Sequence, residues 1–368
     1  MKIAYVSYNQ MHAIANGGVG RKIRGVVGAW HAAGHEARWF LTTSAEVSGE
    51  EVSAFRFGID KRGLGREIDR SRQLARMIDA VAAYQPDAIY LRAGIYTYPL
   101  QRLFRIAPVV MEFNTIDMIE YKSQGAFRFF VHRLTRDYVF RKAAGFVAVS
   151  YEIGEHASNT KYGKPILVVS NGIDPRRYAA LPAPQNSTPN LVYMGAPDNR
   201  WQGLDKLLWL AEACPDFEFD VIGSSPKHFA EQTIPPNVHL HGFLDRDAYE
   251  PILAHADVGV ATLALHRKGM EEASTLKVRE YLAYGLPLLL AYQETDLMGT
   301  GFDFVQQIPN TEDNVRSHVE DIRKFSFAMQ GKRAERELIA PLVDIIRKQE
   351  HLIDFLKSLC GKNKKIVR

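Results

Sequence analysis

Short apolar runs alternate with segments of helical periodicity along this chain, and the alternation stops once and then restarts. In the first half, "KIAYVS", "EARWFLT", "DAIYLR", "PVVMEF" and "GFVAVS" have strand length, and helical segments such as "RKIRGVVGAWHAA" lie between them. Gly34 follows that helical segment as a stop. Such a βαβ rhythm specifies a parallel sheet wrapped by helices, because parallel strands need a crossover. Residues 174–190, "DPRRYAALPAPQNSTPN", break the rhythm with Pro, Ala and small polar residues and read as a linker. The rhythm then resumes with "NLVYMG", a helix around 203–213, "FEFDVIG", "NVHLHGF", "DVGVATL" and "LPLLLA". The last segment, about 333–358, carries Leu338, Leu342, Ile345, Ile346, Leu352, Phe355 and Leu356 at helical spacing.

Length agrees with two tandem α/β domains, since 368 residues exceed one ordinary core. A chain 46% apolar and 24% charged can fold as a globular protein. No apolar run approaches the ~20 residues of a membrane span, and Met1-Lys2 leads directly into a strand rather than a secretory leader. Cys214 and Cys360 are far apart, which argues against a disulfide framework or a cysteine zinc site and predicts a reducing, cytoplasmic compartment. The net charge of +4 permits an anionic substrate without calling for nucleic acid.

Ligands of such sheets bind beyond the carboxyl ends of the strands, so the loops there carry the chemistry. In "SYNQMHAIANGGVGRKI", Gly17 and Gly18 let backbone N–H groups approach an anion at a helix start; a plain glycine-rich turn is the alternative. The loop lacks the Gly-x-Gly-x-x-Gly spacing of a dinucleotide fold, and no acid ends the second strand. Asp245-Arg246-Asp247 mimics a metal-binding pair but reads as a helix cap. The histidines form no ligand cluster, so neither a protein-held metal nor a cofactor is expected. "FRFFVHRLTRDYVFRK", residues 127–142, places Phe130, Leu134 and Tyr138 on one helical face. A peripheral membrane anchor and a surface helix packed on the first domain explain that face equally well.

The stretch "MEEASTLKVREYLAYGLPLL", residues 270–289, says most about chemistry. If a helix begins near Leu276, three consecutive N–H groups there suit a diphosphate. Lys277 adds charge, Glu280 can accept two ribose hydroxyls, and Glu272 can hold sugar hydroxyls beyond the phosphates. A capped helix with two surface acids is the bland alternative.

Glu272, seven residues, Glu280 and then Tyr-Leu-Ala-x-Gly-x-Pro resembles the donor-site motif of retaining glycosyltransferases of family 4, which have the GT-B fold. "GGVG" with "GHEARWF", then "FVAVS", "VVSNGID" and "NVHLHGFLDRDAYEPILAHADVGVATL" extend the likeness over nearly the whole chain. The resemblance implies α/β GT-B architecture, two Rossmann-like doubly wound domains facing a cleft. It implies a first domain of residues 1–172, to which a last helix of about 345–368 returns, and a second of residues 173–344 that binds nucleotide sugar. By the same resemblance the donor set is Gly17, Gly18, Arg200, Gly223, Phe243, Ser274, Thr275, Leu276, Lys277 and Glu280. Glu272 and Asn114 become catalytic candidates, with Glu112 and Glu120 on the acceptor side.

Two departures qualify the likeness. The family's diphosphate clamp, an Arg and a Lys, is replaced by Ala196 and Gln202; either Lys277 or Arg200 substitutes for the charge, or the clamp is simply lost. Asn114 stands where many relatives have a histidine, and an amide is no general base. The expected activity is transfer of a hexose from a nucleoside-diphosphate sugar to a saccharide or lipid-linked acceptor, in cell-surface polysaccharide or glycolipid synthesis. A sugar-nucleotide 2-epimerase and a GT-B scaffold without turnover are the rivals.

Overall fold

The computed structural model describes residues 1–10, 15, 17–58, 63–195, 199–229 and 233–363. It divides into two units, Met1–Gly172 with Ile345–Arg368, and Ile173–Asp344.

The first unit runs β1 (Lys2–Gln10), α1 (Gly18–Ala32), β2 (Glu36–Thr43), β3 (Val52–Arg56), α2 (Gly63–Tyr84), β4 (Ala88–Arg92), β5 (Val109–Phe113), α3 (Asp117–Ser123), α4 (Ala126–Phe140), β6 (Gly145–Ala148), α5 (Tyr151–Glu155), α6 (Ala157–Thr160) and β7 (Ile166–Val168). Its parallel sheet has the order β3-β2-β1-β4-β5-β6-β7. Ile3, Tyr5 and Val6 of β1 are fully buried because helices cover both sheet faces, so the strand reads as a continuous apolar run rather than an alternating one.

The second unit runs β8 (Asn190–Met194), α7 (Leu204–Ala213), β9 (Glu218–Ile222), β10 (Val238–Gly242), α8 (Arg246–His255), β11 (Val258–Val260), β12 (Glu272–Ala273), α9 (Leu276–Ala283), β13 (Leu288–Leu290), β14 (Gln293–Glu294), β15 (Val305–Gln307), α10 (Asn314–Ser317), α11 (Val319–Met329) and α12 (Arg336–Val343). Its main sheet, also parallel, has the order β10-β9-β8-β11-β13-β15, and β12 pairs with β14 apart from it. Each unit thus has its first strand in the interior, with the chain going one way from it and then the other. That reversal lies between β1 and β4 in one unit and between β8 and β11 in the other. A crevice opens where the strand order reverses.

Two readings of the sequence need correction. The stretch 174–190 is not a free linker but an ordered part of the second unit. Asn186 Nδ2 donates to His255 O at 2.6 Å and to Asp257 Oδ2 at 2.8 Å, and its carbonyl accepts from Gln330 Nε2 at 2.6 Å. The single helical segment at 333–358 is two helices, α12 and α13 (Ile345–Asn363), because Asp344 takes extended angles. Only α13 belongs to the first unit. Its Leu352, Ile353 and Leu356 join Ile23, Val27 and Trp30 of α1 in one core, and Trp30 Nε1 donates to Gln349 Oε1 at 2.9 Å.

Candidate functional site

At the reversal point of the second unit, Gly195 follows β8 and lies beside Gly223, which follows β9. A Cβ on Gly223 would collide with the Gly195 carbonyl, and one on Gly195 would collide with Gln202 Oε1. Gly223 is therefore needed for close backbone approach, whereas a side chain at Gly195 would displace the Gln202 and Tyr193 side chains. Gly223 also has a positive φ of 98° and donates its N–H to Gly242 O at 2.7 Å, which accounts for it structurally.

Gln202 is buried in this corner, and its Oε1 accepts from Tyr193 Oη at 3.0 Å and from Lys277 Nζ at 2.9 Å. Lys277 is the second residue of α9 and its ammonium lies 4.1 Å from the Tyr193 ring centroid. No carboxylate among the described residues lies within ion-pair reach of it. Burial unrelieved by any anion pulls its pKa down to about 7. The amine therefore reaches the place where the family motif expects a lysine at 202. Arg200, the other substitute, is exposed, and its carbonyl accepts from Arg267 Nη1 at 3.1 Å. Ala196 lies outside the described residues.

Helix α9 begins at Leu276 with Thr275 as its N-cap. The N–H groups of Leu276, Lys277 and Val278 find no acceptor among the described residues, as expected of a first helical turn. Thr275 N–H is engaged instead, 3.4 Å from Glu294 Oε2, and Thr275 Oγ1 meets Tyr292 Oη at 3.0 Å. Ser274 accepts from Arg279 Nη2 at 2.6 Å, so its hydroxyl serves the scaffold.

Both motif glutamates are buried. Glu280 accepts from Tyr249 Oη of α8 at 2.9 Å, and Glu272 accepts from Thr295 Oγ1 at 2.7 Å. Neither is the surface acid of the bland reading. Behind them Arg279, fully buried, lies 2.8 Å from Glu294 Oε1 and 2.6 Å from Asp296 Oδ2. Burial raises the Glu294 pKa against the pull of that guanidinium. Tyr281 Oη receives Met194 N–H at 2.8 Å and ties α9 to β8. Phe243, just beyond β10, is 74% exposed, a free aromatic surface. Asp245 Oδ1 accepts from Ala248 N at 3.1 Å and caps α8.

In the first unit, Glu112 and Asn114 stand at the end of β5 against Lys22 of α1. Lys22 Nζ lies 2.7 Å from Glu112 Oε1 and donates to Asn114 Oδ1 at 2.6 Å. Glu112 Oε2 also accepts from Tyr5 Oη at 2.6 Å and lies 3.3 Å from Arg92 Nη1. Lys22 and Arg92 together hold the Glu112 carboxyl down at about 2 despite burial. This carboxylate is fully engaged by its own chain. Asn114 likewise points its oxygen at a cation. Glu120, in α3, is half-buried and accepts from Gln124 at 3.2 Å. Gly17 is the N-cap of α1 and Gly18 its first residue.

Tyr193, Tyr249, Thr295, Lys22 and Arg92 escaped the sequence reading, since their meeting depends on strand order. Arg279 carried a signal, a lone guanidinium within an apolar run.

Residues 16–177 match the family model described as Glycosyltransferase Family 4. No curated protein matches the chain. Among solved structures, sucrose-phosphate synthase from Thermosynechococcus elongatus matches with a TM-score of 0.70 at 14% identity, covering 98% of this chain and 100% of that one. HepE of Anabaena, solved with UDP and glucose, matches at 0.64 and 13% identity over 97% and 100%. WaaG, a glycosyltransferase involved in lipopolysaccharide biosynthesis, matches at 0.61 and 15% identity over 99% of each chain. At such identities the likeness speaks for the fold, and that fold is GT-B.

Proposed function

We propose that this chain, a family 4-like glycosyltransferase of GT-B fold, moves a hexose from a nucleoside-diphosphate sugar to a saccharide or lipid-linked acceptor with retention. The observation that carries the reading is Lys277, a half-buried amine facing an amide and an aromatic ring instead of a carboxylate, beside free N–H groups. A cation so placed lacks an anion, and a diphosphate supplies one. Glu280 on one side takes the ribose hydroxyls and Glu272 on the other the sugar hydroxyls. The HepE structures hold UDP and UDP-glucose, and the WaaB neighbour is named a lipopolysaccharide outer core galactosyltransferase. Those neighbours favour a uridine nucleotide and a cell-surface glycan.

In the reaction we infer, the bond from the anomeric carbon to the diphosphate breaks while the acceptor oxygen bonds to that carbon on the same face. The acceptor proton passes to the departing phosphate oxygen. Neither Glu112 nor Asn114 takes it, the first being locked in an ion cluster and the second an amide. The protein's task is to stabilise charge building on the leaving diphosphate, and Lys277 with the first turn of α9 does so. Turnover without an added divalent metal is the expectation. Asp245 is a cap, and no group of three or more potential ligands to a metal occurs among the described residues.

The test is calorimetric titration with UDP, GDP and ADP, followed by hydrolysis of the matching donor in chelator without acceptor. Glu280→Ala is expected to weaken nucleoside diphosphate binding by about 2–3 kcal/mol. Glu272→Ala is expected to lower turnover while leaving that affinity nearly intact. Binding without hydrolysis would favour the inactive scaffold, and no binding at all would sink the donor site.

A further inference from the structure

Helix α4 is amphipathic the wrong way round for a helix bathed in water. Its inward face carries His132, Arg136, Val139 and Phe140, all buried. Arg136 holds the helix down through Asp117, with Nε at 2.7 Å from Oδ2 and Nη2 at 3.0 Å from Oδ1. It also donates to Ser158 O at 2.6 Å, and its guanidinium lies 4.1 Å from the centroid of the Phe140 ring. His132 Nε2 sits 2.8 Å from Asp117 Oδ2. The outward face carries Phe127, Phe130, Leu134 and Tyr138, which are 79%, 58%, 64% and 49% exposed. Spacings of three, four and four residues align them in one stripe about 16 Å long. Ordinary surface helices do the reverse, burying the apolar stripe and leaving Arg and His in water.

The surroundings of the stripe are cationic. Arg128 and Arg133 project on its two sides, and Lys122, Arg141 and Lys142 are exposed near its ends. The acids of the region are occupied. Asp117 is buried under Arg136, Asp137 bonds Lys161 at 2.8 Å and Tyr162 at 2.5 Å, and half-buried Glu120 accepts from Gln124. A second copy of the same face would bring these cations against one another. A single convex helix suits a flat apolar boundary with negative charge at its surface.

The geometry points to α4 as an interfacial seat on an anionic lipid surface, with Phe127, Phe130, Leu134 and Tyr138 entering the acyl boundary and Arg128 and Arg133 meeting the headgroups. No helix among the described residues is long and apolar enough to cross a membrane, so the contact is lateral. The seat belongs to the first unit and does not rest on the reaction proposed for the second.

Sedimentation of the whole protein with vesicles tests this, using phosphatidylcholine alone or mixed with phosphatidylglycerol in equal amounts. The wild type is expected to bind the mixed vesicles far better than the neutral ones. Binding should fall as salt rises, because the screening length shrinks from about 10 Å at 0.1 M to about 3 Å at 1 M. F127S/F130S/L134S is expected to lose binding by roughly tenfold or more, since three apolar side chains no longer leave water. R128Q/R133Q should lose severalfold on mixed vesicles only. Unchanged thermal unfolding and nucleoside diphosphate affinity certify that both variants are folded. Absence of vesicle binding, equal binding to both vesicle types, or retention by the triple variant each overturns the proposal. So does a wild-type dimer in solution that the triple variant converts to monomer, which would assign the stripe to a second copy.

Discussion

Each unit sets a lysine near the start of a helix beside its strand reversal, Lys22 buried and Lys277 half-buried, and these two lysines are treated oppositely. Lys22 in the first unit meets Glu112 at 2.7 Å, and Arg92 and Tyr5 complete the carboxylate's shell. Lys277 in the second meets the Gln202 amide oxygen at 2.9 Å and an aromatic face. Burial lowers the pKa of both, but only Lys22 has a counterion pushing back. The first lysine is a finished structural element. The second is left with an unmet demand for negative charge, which suits a site whose ligand is an anion.

Breaking the finished cluster should have the largest effect. Glu112→Gln leaves Lys22 and Arg92 buried without their carboxylate, and a loss of about 3–5 kcal/mol in urea unfolding is expected. Because the Glu112 pKa is depressed to about 2, the stability it confers is complete above the ordinary glutamate range and disappears as pH falls toward 2. A change below 1 kcal/mol would show the cluster to be dispensable.

Removing the other lysine should leave folding intact and damage binding. Lys277→Met is expected to weaken nucleoside diphosphate binding by roughly 1.5–3 kcal/mol, about tenfold to more than a hundredfold. A shift within about twofold would remove the contrast between the lysines. Moving the cation sharpens it further. Gln202→Lys combined with Lys277→Gln keeps one lysine and one amide in the same corner and should recover most of the affinity lost in Lys277→Met. Failure to recover would mean that the position on α9, not the charge, matters.

The smallest effect is on pH. With its pKa near 7, Lys277 is largely neutral above that pH in the free protein. A bound diphosphate raises that pKa, so the complex holds more proton than the free protein, and affinity must fall as pH rises above about 7. The slope approaches about tenfold per pH unit at most. Calorimetry in buffers of different ionisation heat should register proton uptake by the wild type and none by Lys277→Met.

Strand and helix order was largely readable because central parallel strands are continuous apolar runs. The strands of the two main sheets that escaped, β3, β7 and β15, lie at edges, where half-exposed residues such as Ser53 and Gln306 dilute the pattern. The break at Asp344 was hidden because apolar spacing continues across it, from Leu342 to Ile345. At the candidate site, the residues of one contiguous motif were visible, including the start of α9 at Leu276. Their partners were not. Nothing local links Gln202 to Lys277, or Tyr249 to Glu280, until β8 and β11 are neighbours. Thr275 N–H turning toward Glu294 was equally unreadable, since β14 is only two residues long.

The return of α13 to the first unit bears on how the chain matures at the ribosome. Trp30 and Gln349 hydrogen-bond across 319 positions, and Leu352, Ile353 and Leu356 complete the core that α1 begins. Domains commonly fold in order of emergence. Here the core of the unit synthesised first is completed only once α13 has left the tunnel, whereas residues 173–344 emerge before it. Until then α1 packs on the strands through Tyr5, Trp39 and Tyr90 while the part of its apolar side that meets α13 stays uncovered, which makes that part the surface most in need of protection during synthesis.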